Sequence, residues 1–264
     1  MAKTIVFGHD GLRWQEQLID FWSLPMYIIR KLLGYNARMC GRFTLHTPAT
    51  ELFQLLLLDL HEPLVPRYNI APTQSIATVR QLSKQTMPHL ASLQWGLIPS
   101  WATKTAKNRP LINARAETVA EKPSFRDALA RQRCLILCDG YYEWQASGKK
   151  KQAFYIRQKD ERPFAFAGIW DRWYGGSNSA TDTCAIITTS ANDLTRPIHK
   201  RMPVILDRAD YAAWLDPQHN EKNALLEMLQ PFDSAEMKID RISSYVNRVK
   251  NDDVRCIQIQ RELF

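Results

Sequence analysis

From Cys40 to the C-terminus, short runs rich in Val, Ile, Phe, Tyr and Thr alternate with clusters of Gly, Pro, Asn, Asp and Ser. That punctuation limits the fold more than any other property of the chain. Runs so short cannot form long amphipathic helices, and their composition favours strands. The spacing predicts strands in CGRFTLHT, SIATVRQL, HLASLQWGLI, RCLILCD, TDTCAIITTSA, MPVILD and VRCIQIQ. GYYEWQ and QAFYIRQ, separated by ASGKK, read as a hairpin that FAFAGIW continues after the DERP turn. Helices are expected from the Thr47-Pro48 cap through Leu55 to Leu58, over Ser124 to Arg131, around Tyr211 to Leu215 and over Asn223 to Leu229. With no repeat or low-complexity linker after residue 39, residues 39–264 read as one α+β domain around a curved, barrel-like, mostly antiparallel β core with peripheral helices.

Residues 1–38 differ in character. The stretch GLRWQEQLIDFWSLPMYIIRKLLGY is amphipathic, is interrupted by Pro25, and has its apolar run broken by Arg30 and Lys31. It falls short of the ~20 apolar residues a membrane span needs and lacks a cleavage site of the secretory kind. The expectation is an N-terminal extension, a helix packed outside the core, that is either removed or not made because translation starts at Met39.

Hydrophobic residues make up 45% and charged residues 23% of the 264, an ordinary balance for a soluble chain. The 35 basic residues outnumber the 27 acidic ones, giving a net charge of +8. This excess suits an anionic partner, nucleic acid first, and equally a generically basic soluble protein. The five cysteines are scattered without a CxxC pair, and Cys134 and Cys138 sit in an apolar run as small core residues. The six histidines form no HExxH, and the glycines form neither GxGxxG nor a P-loop. No metal and no organic cofactor is expected, and a reduced, cytoplasmic setting is the default.

Met39-Cys40-Gly41-Arg42-Phe43 carries the most distinctive chemistry. A Met followed by a small residue is the form that initiator removal requires, and removal would leave Cys40 with an α-amine and a thiol on adjacent carbons. An α-amine with a pKa of about 7.7–8.0 is partly neutral at pH 7, whereas lysine at about 10.4 is not. It can attack an aldehyde, and the thiol can close the resulting imine into a five-membered thiazolidine. As an internal residue, Cys40 is one more strand cysteine. Four further stretches are polar where a strand or turn would not require it: RYNIAPTQ with Asn69, LINARAET with Asn113, Arg115 and Glu117, DGYYEW with Glu143, and RPIHKRMPVIL with His199. Glu143 between Tyr142 and Trp144 is either a proton-transfer group or an outward-facing strand residue. Lys104, Lys107, Arg109, Arg115 and Arg126 add charge nearby in sequence.

MCGRF, RYNIAPTQ, WGLIPSWA, LINARAET, CLILCDGYYEW, FAFAGIW, TTSAN…IHKRMPVIL and SSYVNRVKND occur in one order along residues 39–264. In this the sequence resembles the SOS response-associated peptidase (SRAP) family, which shields abasic sites in DNA. The resemblance implies that Cys40, once N-terminal, forms a thiazolidine with the ring-opened aldehyde of an abasic site in single-stranded DNA. It implies further that Asn113 positions Cys40, that Glu143 is the acid/base, and that His199 assists ring opening and reversal. Arg42, Asn69, Trp95, Trp101 and Arg115 are implied as DNA-binding residues, in a monomer that needs no cofactor and no membrane and sits in the cytoplasm with the nucleoid. The peptidase label would be met by self-processing. Three other readings remain, one of them a cysteine peptidase acting on other proteins. Met-Cys-Gly also opens N-terminal-nucleophile amidohydrolases, in which the thiol attacks an amide, and glutamine hydrolysis would reveal one. A non-covalent single-strand binder would keep the fold and lack the cross-link.

Overall fold

The computed structural model of the chain describes residues 41–56, 63–103, 110–148, 150–175 and 180–260. The extension 1–38, Cys40 and the helix expected to run on to Leu58 beyond Leu56 lie wholly or partly outside them. Twelve strands are described: β1 (Phe43–Leu45), β2 (Arg67–Ile70), β3 (Ser75–Arg80), β4 (His89–Trp95), β5 (Asn113–Arg115), β6 (Arg133–Cys138), β7 (Gly140–Ser147), β8 (Lys150–Gln158), β9 (Phe164–Trp173), β10 (Thr181–Ser190), β11 (Arg201–Pro203) and β12 (Met237–Ile242). Four short α-helices accompany them: α1 (Ala49–Leu56), α2 (Arg126–Arg131), α3 (Tyr211–Leu215) and α4 (Lys222–Glu227).

The strands form two sheets. In the first, the order β12-β8-β7-β1-β2 is antiparallel throughout. In the second, β10 pairs with β4, β4 with β3, β3 with β6, β6 with β9, and β9 with β10 again, which closes a five-stranded ring. Only β4–β10 is parallel within that ring. Beyond it, β10 carries β5 in parallel and β11 antiparallel along its last residues. The fold is α+β with a barrel at its centre, as the alternation of short apolar runs requires.

Strand identity follows burial. All six residues of β6 and the first seven of β9 are buried, the mark of strands covered on both faces. Arg133 opens β6 at 2% exposure. Its guanidinium donates to the carbonyl oxygens of Leu129, Ala130, Trp214, Asp216 and His219, and burial pulls its pKa down to about 10 against the opposing charge of Asp216.

Three expectations change. FAFAGIW is a strand, yet it does not continue the β7–β8 hairpin; it leaves for the barrel, where both its apolar faces are covered, and β12 takes the place beside β8. VRCIQIQ is not a strand: Asp253 accepts from the Arg255 amide and Cys256 N–H donates to the Asp253 carbonyl, coiling Val254–Ile257 into a 3₁₀ turn. MPVILD supplies only β11 and an isolated bridge from Ile205 to Phe166.

Candidate functional site

β1 and β7 set the geometry. Phe43 pairs with Tyr141 and Thr44 with Gly140, and the Tyr142 amide donates to the Arg42 carbonyl at 3.0 Å. Continued by one residue, this antiparallel register brings Gly41 level with Glu143. The chain thus enters the domain beside a carboxylate that is 3% exposed. Cys40, the residue before Gly41, lies outside the described residues.

Side chains alternate along β7. Tyr142 faces a cluster with Tyr155, Ile242 and Val246, and Trp144 packs against it. Tyr141 faces the main core, so Glu143 and Gln145 share its side of the strand. Gln145 Nε2 donates to the Pro197 carbonyl at 2.8 Å and so ties β7 to the segment that carries His199.

That segment is held at its base by buried Asn192. The Asn192 Oδ1 accepts from the Thr195 amide at 3.0 Å and its hydroxyl at 2.9 Å, and Nδ2 donates to the Phe232 carbonyl at 2.8 Å. The Ile198 and His199 amides both donate to the Thr195 carbonyl. His199 is half-buried, with Nδ1 lying 3.1 Å from both the amide nitrogen and the carbonyl oxygen of Arg201. A neutral ring accepts the amide proton at Nδ1 and carries its own proton on Nε2. A protonated ring donates from Nδ1 to the carbonyl. The same anchor serves both charge states, as a proton-transfer group needs.

Arg201 in turn donates to the Thr188 carbonyl at 2.5 Å and to both Glu117 carboxylate oxygens, at 2.7 and 2.9 Å. The Arg201 hydrogen bonds hold the Glu117 carboxyl below the usual carboxylate range. Asn113 lies opposite Ile186 and exposed Arg115 opposite Thr188, so β5 and β11 flank the end of β10 on its two edges. Asn113, Arg115 and His199, far apart in sequence, are therefore carried by one strand end.

Arg42 and Asn69 meet elsewhere. Arg42 Nη1 donates to Asn69 Oδ1 at 2.8 Å and to the Val246 carbonyl at 3.0 Å, and its guanidinium lies 5.8 Å from the centre of the Trp144 ring. Burial lowers its pKa. Asn69 is fully buried, and its Nδ2 donates to the carbonyls of Val246, Arg248 and Asn251. Asp252 accepts from the Tyr68 and Asn69 amides. RYNI and SSYVNRVKND thus fold onto each other. The expectation that Asn69 contacts DNA is corrected: its amide is spent on the protein.

Trp95 needs the same correction. It is 0% exposed, its ring meets Phe43 edge-on at 5.3 Å, and its indole N–H donates to the Ile112 carbonyl. The ring is covered by protein on all sides. Gly96 follows at φ +134°, where a Cβ would lie 2.6 Å from Pro110 Cβ, so the chain turns there only with glycine. Trp101 is different, at 65% exposed beside a cleft of about 280 Å³ lined by Leu97, Pro99, Ala102 and Leu111 among others. Its loop is pinned by Ser100 N–H to Asp171 and by Trp173 Nε1 to the Ala102 carbonyl. Arg126 is exposed, while Lys104, Lys107 and Arg109 lie outside the described residues.

Sequence reasoning missed Gln145 and Arg201. Gln145 could have been found from its position two residues after Glu143, which places both on one strand face. Among the described residues no group of three His, Cys, Asp or Glu side chains could hold a metal ion, and no helix is long and apolar enough to cross a membrane.

Comparison with known proteins finds a family and a shared fold. Residues 39–249 match the family model described as SOS response associated peptidase (SRAP). "Abasic site processing protein YoqW" of Bacillus subtilis is 40% identical over 224 residues, covering 83% of this chain and 99% of that protein. "Abasic site processing protein HMCES" of Gallus gallus is 30% identical, over 73% of this chain and 66% of its own. A crystal structure of a protein from Bacteroides thetaiotaomicron superposes with a TM-score of 0.76 at 29% identity, covering 84% of this chain and all of that one.

Proposed function

The chain belongs to the SOS response-associated peptidase family, and from that premise we propose that it captures abasic sites in single-stranded DNA through Cys40. The reactive form begins at Cys40. Its neutral α-amine adds to the C1′ aldehyde of the ring-opened sugar, and loss of water gives an imine. The thiol sulfur then adds to the imine carbon while the thiol proton passes to nitrogen. A thiazolidine results, with one water lost overall. With the aldehyde gone, the electrophile that drives strand scission by β-elimination is gone too.

One observation carries the reading: the register that sets Gly41, the neighbour of Cys40, level with the buried Glu143 carboxyl. Glu143 serves as the acid/base for carbinolamine formation and dehydration, Asn113 orients Cys40, and His199 moves the proton that opens the sugar ring and reverses the cross-link. Arg42 and Arg115 neutralise phosphates, and Trp101 offers a face for base stacking. The names of the relatives support DNA as the partner. The domain that acts runs from residue 39 to 264, an assignment favoured by the family match beginning at 39.

The test is a denaturing gel of protein beginning at Cys40 with an oligonucleotide carrying one abasic site. Wild type should give a retained band, Cys40→Ala none, and Cys40→Ser a weaker amine-dependent one. Equal yields from wild type and Cys40→Ala would refute the proposal. With residues 1–39 attached, the Cys40 nitrogen is a peptide amide whose lone pair is delocalised. That form should give no adduct, and intact mass identifies which form is present.

A further inference from the structure

The geometry points to Gln145 as a positioning residue that holds His199 in working alignment with Glu143. This inference rests on the proton-transfer roles proposed for those two groups. Glu143 sits on a strand of the first sheet, and His199 sits in a segment attached to the barrel strands β10 and β11. A proton relay requires the two to keep a fixed separation across the boundary between the sheets.

The base of the His199 segment is well held, through Asn192, Thr195 and the Arg201 backbone. Asn192 also reaches the first sheet, its Nδ2 lying 3.3 Å from Met237 Sδ on β12. Gln145 Nε2 crosses from β7 to the Pro197 carbonyl at 2.8 Å, two residues before His199 and two residues after Glu143 along their respective chains. Because strand side chains alternate, Gln145 and Glu143 leave β7 on the same face. The Pro197–Ile198 peptide plane is held by its own N–H, which donates to the Thr195 carbonyl at 2.9 Å, so the Pro197 carbonyl is a stiff handle. A pull on that carbonyl moves His199 as a unit with the turn. Gln145 is only partly exposed and lies outside the main core, so its amide contributes to alignment rather than to folding.

Displacement of a catalytic group by about 1 Å can cost on the order of 10²-fold in rate. Loss of one of several anchors should cost less, so Gln145→Ala in protein beginning at Cys40 is expected to slow adduct formation about tenfold. Affinity for undamaged single strands and the melting temperature should stay unchanged. Gln145→Lys, which keeps a donor of similar reach, should restore most of the rate. Gln145→Glu, which sets an acceptor against the Pro197 carbonyl, should not. In a His199→Ala background Gln145→Ala should add nothing, since it acts through His199.

A second readout needs no DNA: the ring signals of His199 by NMR. Gln145→Ala should shift or broaden them. Unchanged His199 signals, a wild-type rate in Gln145→Ala, or additive losses in the double variant would each overturn the assignment. An absence of adduct from wild type itself would instead refute the proposed function, with the NMR result still deciding whether Gln145 positions the ring.

Discussion

Two tryptophans from one sequence motif separate at the residue scale. Trp95 and Trp101 stand six positions apart in WGLIPSW, and chemistry alone gives them equal claims on a nucleobase. Trp95 fills the core against Phe43, and its N–H is satisfied by Ile112, whereas Trp101 stands out in solvent. Trp95→Ala should therefore cost about 3–5 kcal/mol of stability, read as a lower urea midpoint. Trp101→Ala should leave the midpoint in place and weaken single-strand binding by about 1–3 kcal/mol, the usual value of one base–aromatic stack. A Trp101→Ala protein with wild-type affinity would take that face out of the DNA path. The same contrast explains what could be foreseen. Residue types named the candidates, but burial decided between them, and burial depends on strands far away in sequence.

Elements were legible where one face or both faces had to be apolar. β3, β4, β6, the β7–β8 hairpin and β10 stand where RCLILC, SIATVR and their like predicted them. β12 was not foreseen, because Lys238, Asp240 and Arg241 crowd its six residues; as an edge strand it leaves Arg241 exposed and Lys238 and Asp240 half-buried, with Asp240 paired to Arg157 at 2.7 Å. Partner choice was harder still. FAFAGIW reads as a strand in any register, and only closure of the ring tells which neighbours it takes. β5 and β11 illustrate how elements hold the site, for they are clamped to each other by Glu117 and Arg201 across the end of β10. The folded Glu117 carboxyl titrates below its ordinary value, so this clamp contributes stability above the unfolded pKa and loses it as pH falls through the depressed one. It does not titrate between pH 5 and 8. Glu117→Gln should then lower stability at pH 7 by about 0.5 kcal/mol, as expected for a half-exposed pair, and that loss should shrink as pH falls through the depressed value. Denaturant midpoints along a pH series test this, and a loss constant across it would remove the charge from the explanation.

At the scale of the whole molecule the +8 charge predicts how undamaged strands bind. Log affinity should fall with log salt by about 0.7 per phosphate neutralised, and Arg115→Ala should reduce the slope by about that amount. Binding that ignores salt would contradict the electrostatic reading. The closed ring has a further consequence, in time rather than in space. Its closing strand, β10, is also the strand that carries β5 and β11, and it enters the chain after β1, β6 and β7 are already made. A ring joined through contacts so distant in sequence closes slowly, and only as a unit. During synthesis β1 emerges first, while the frame around Asn113, Arg115 and His199 is assembled last.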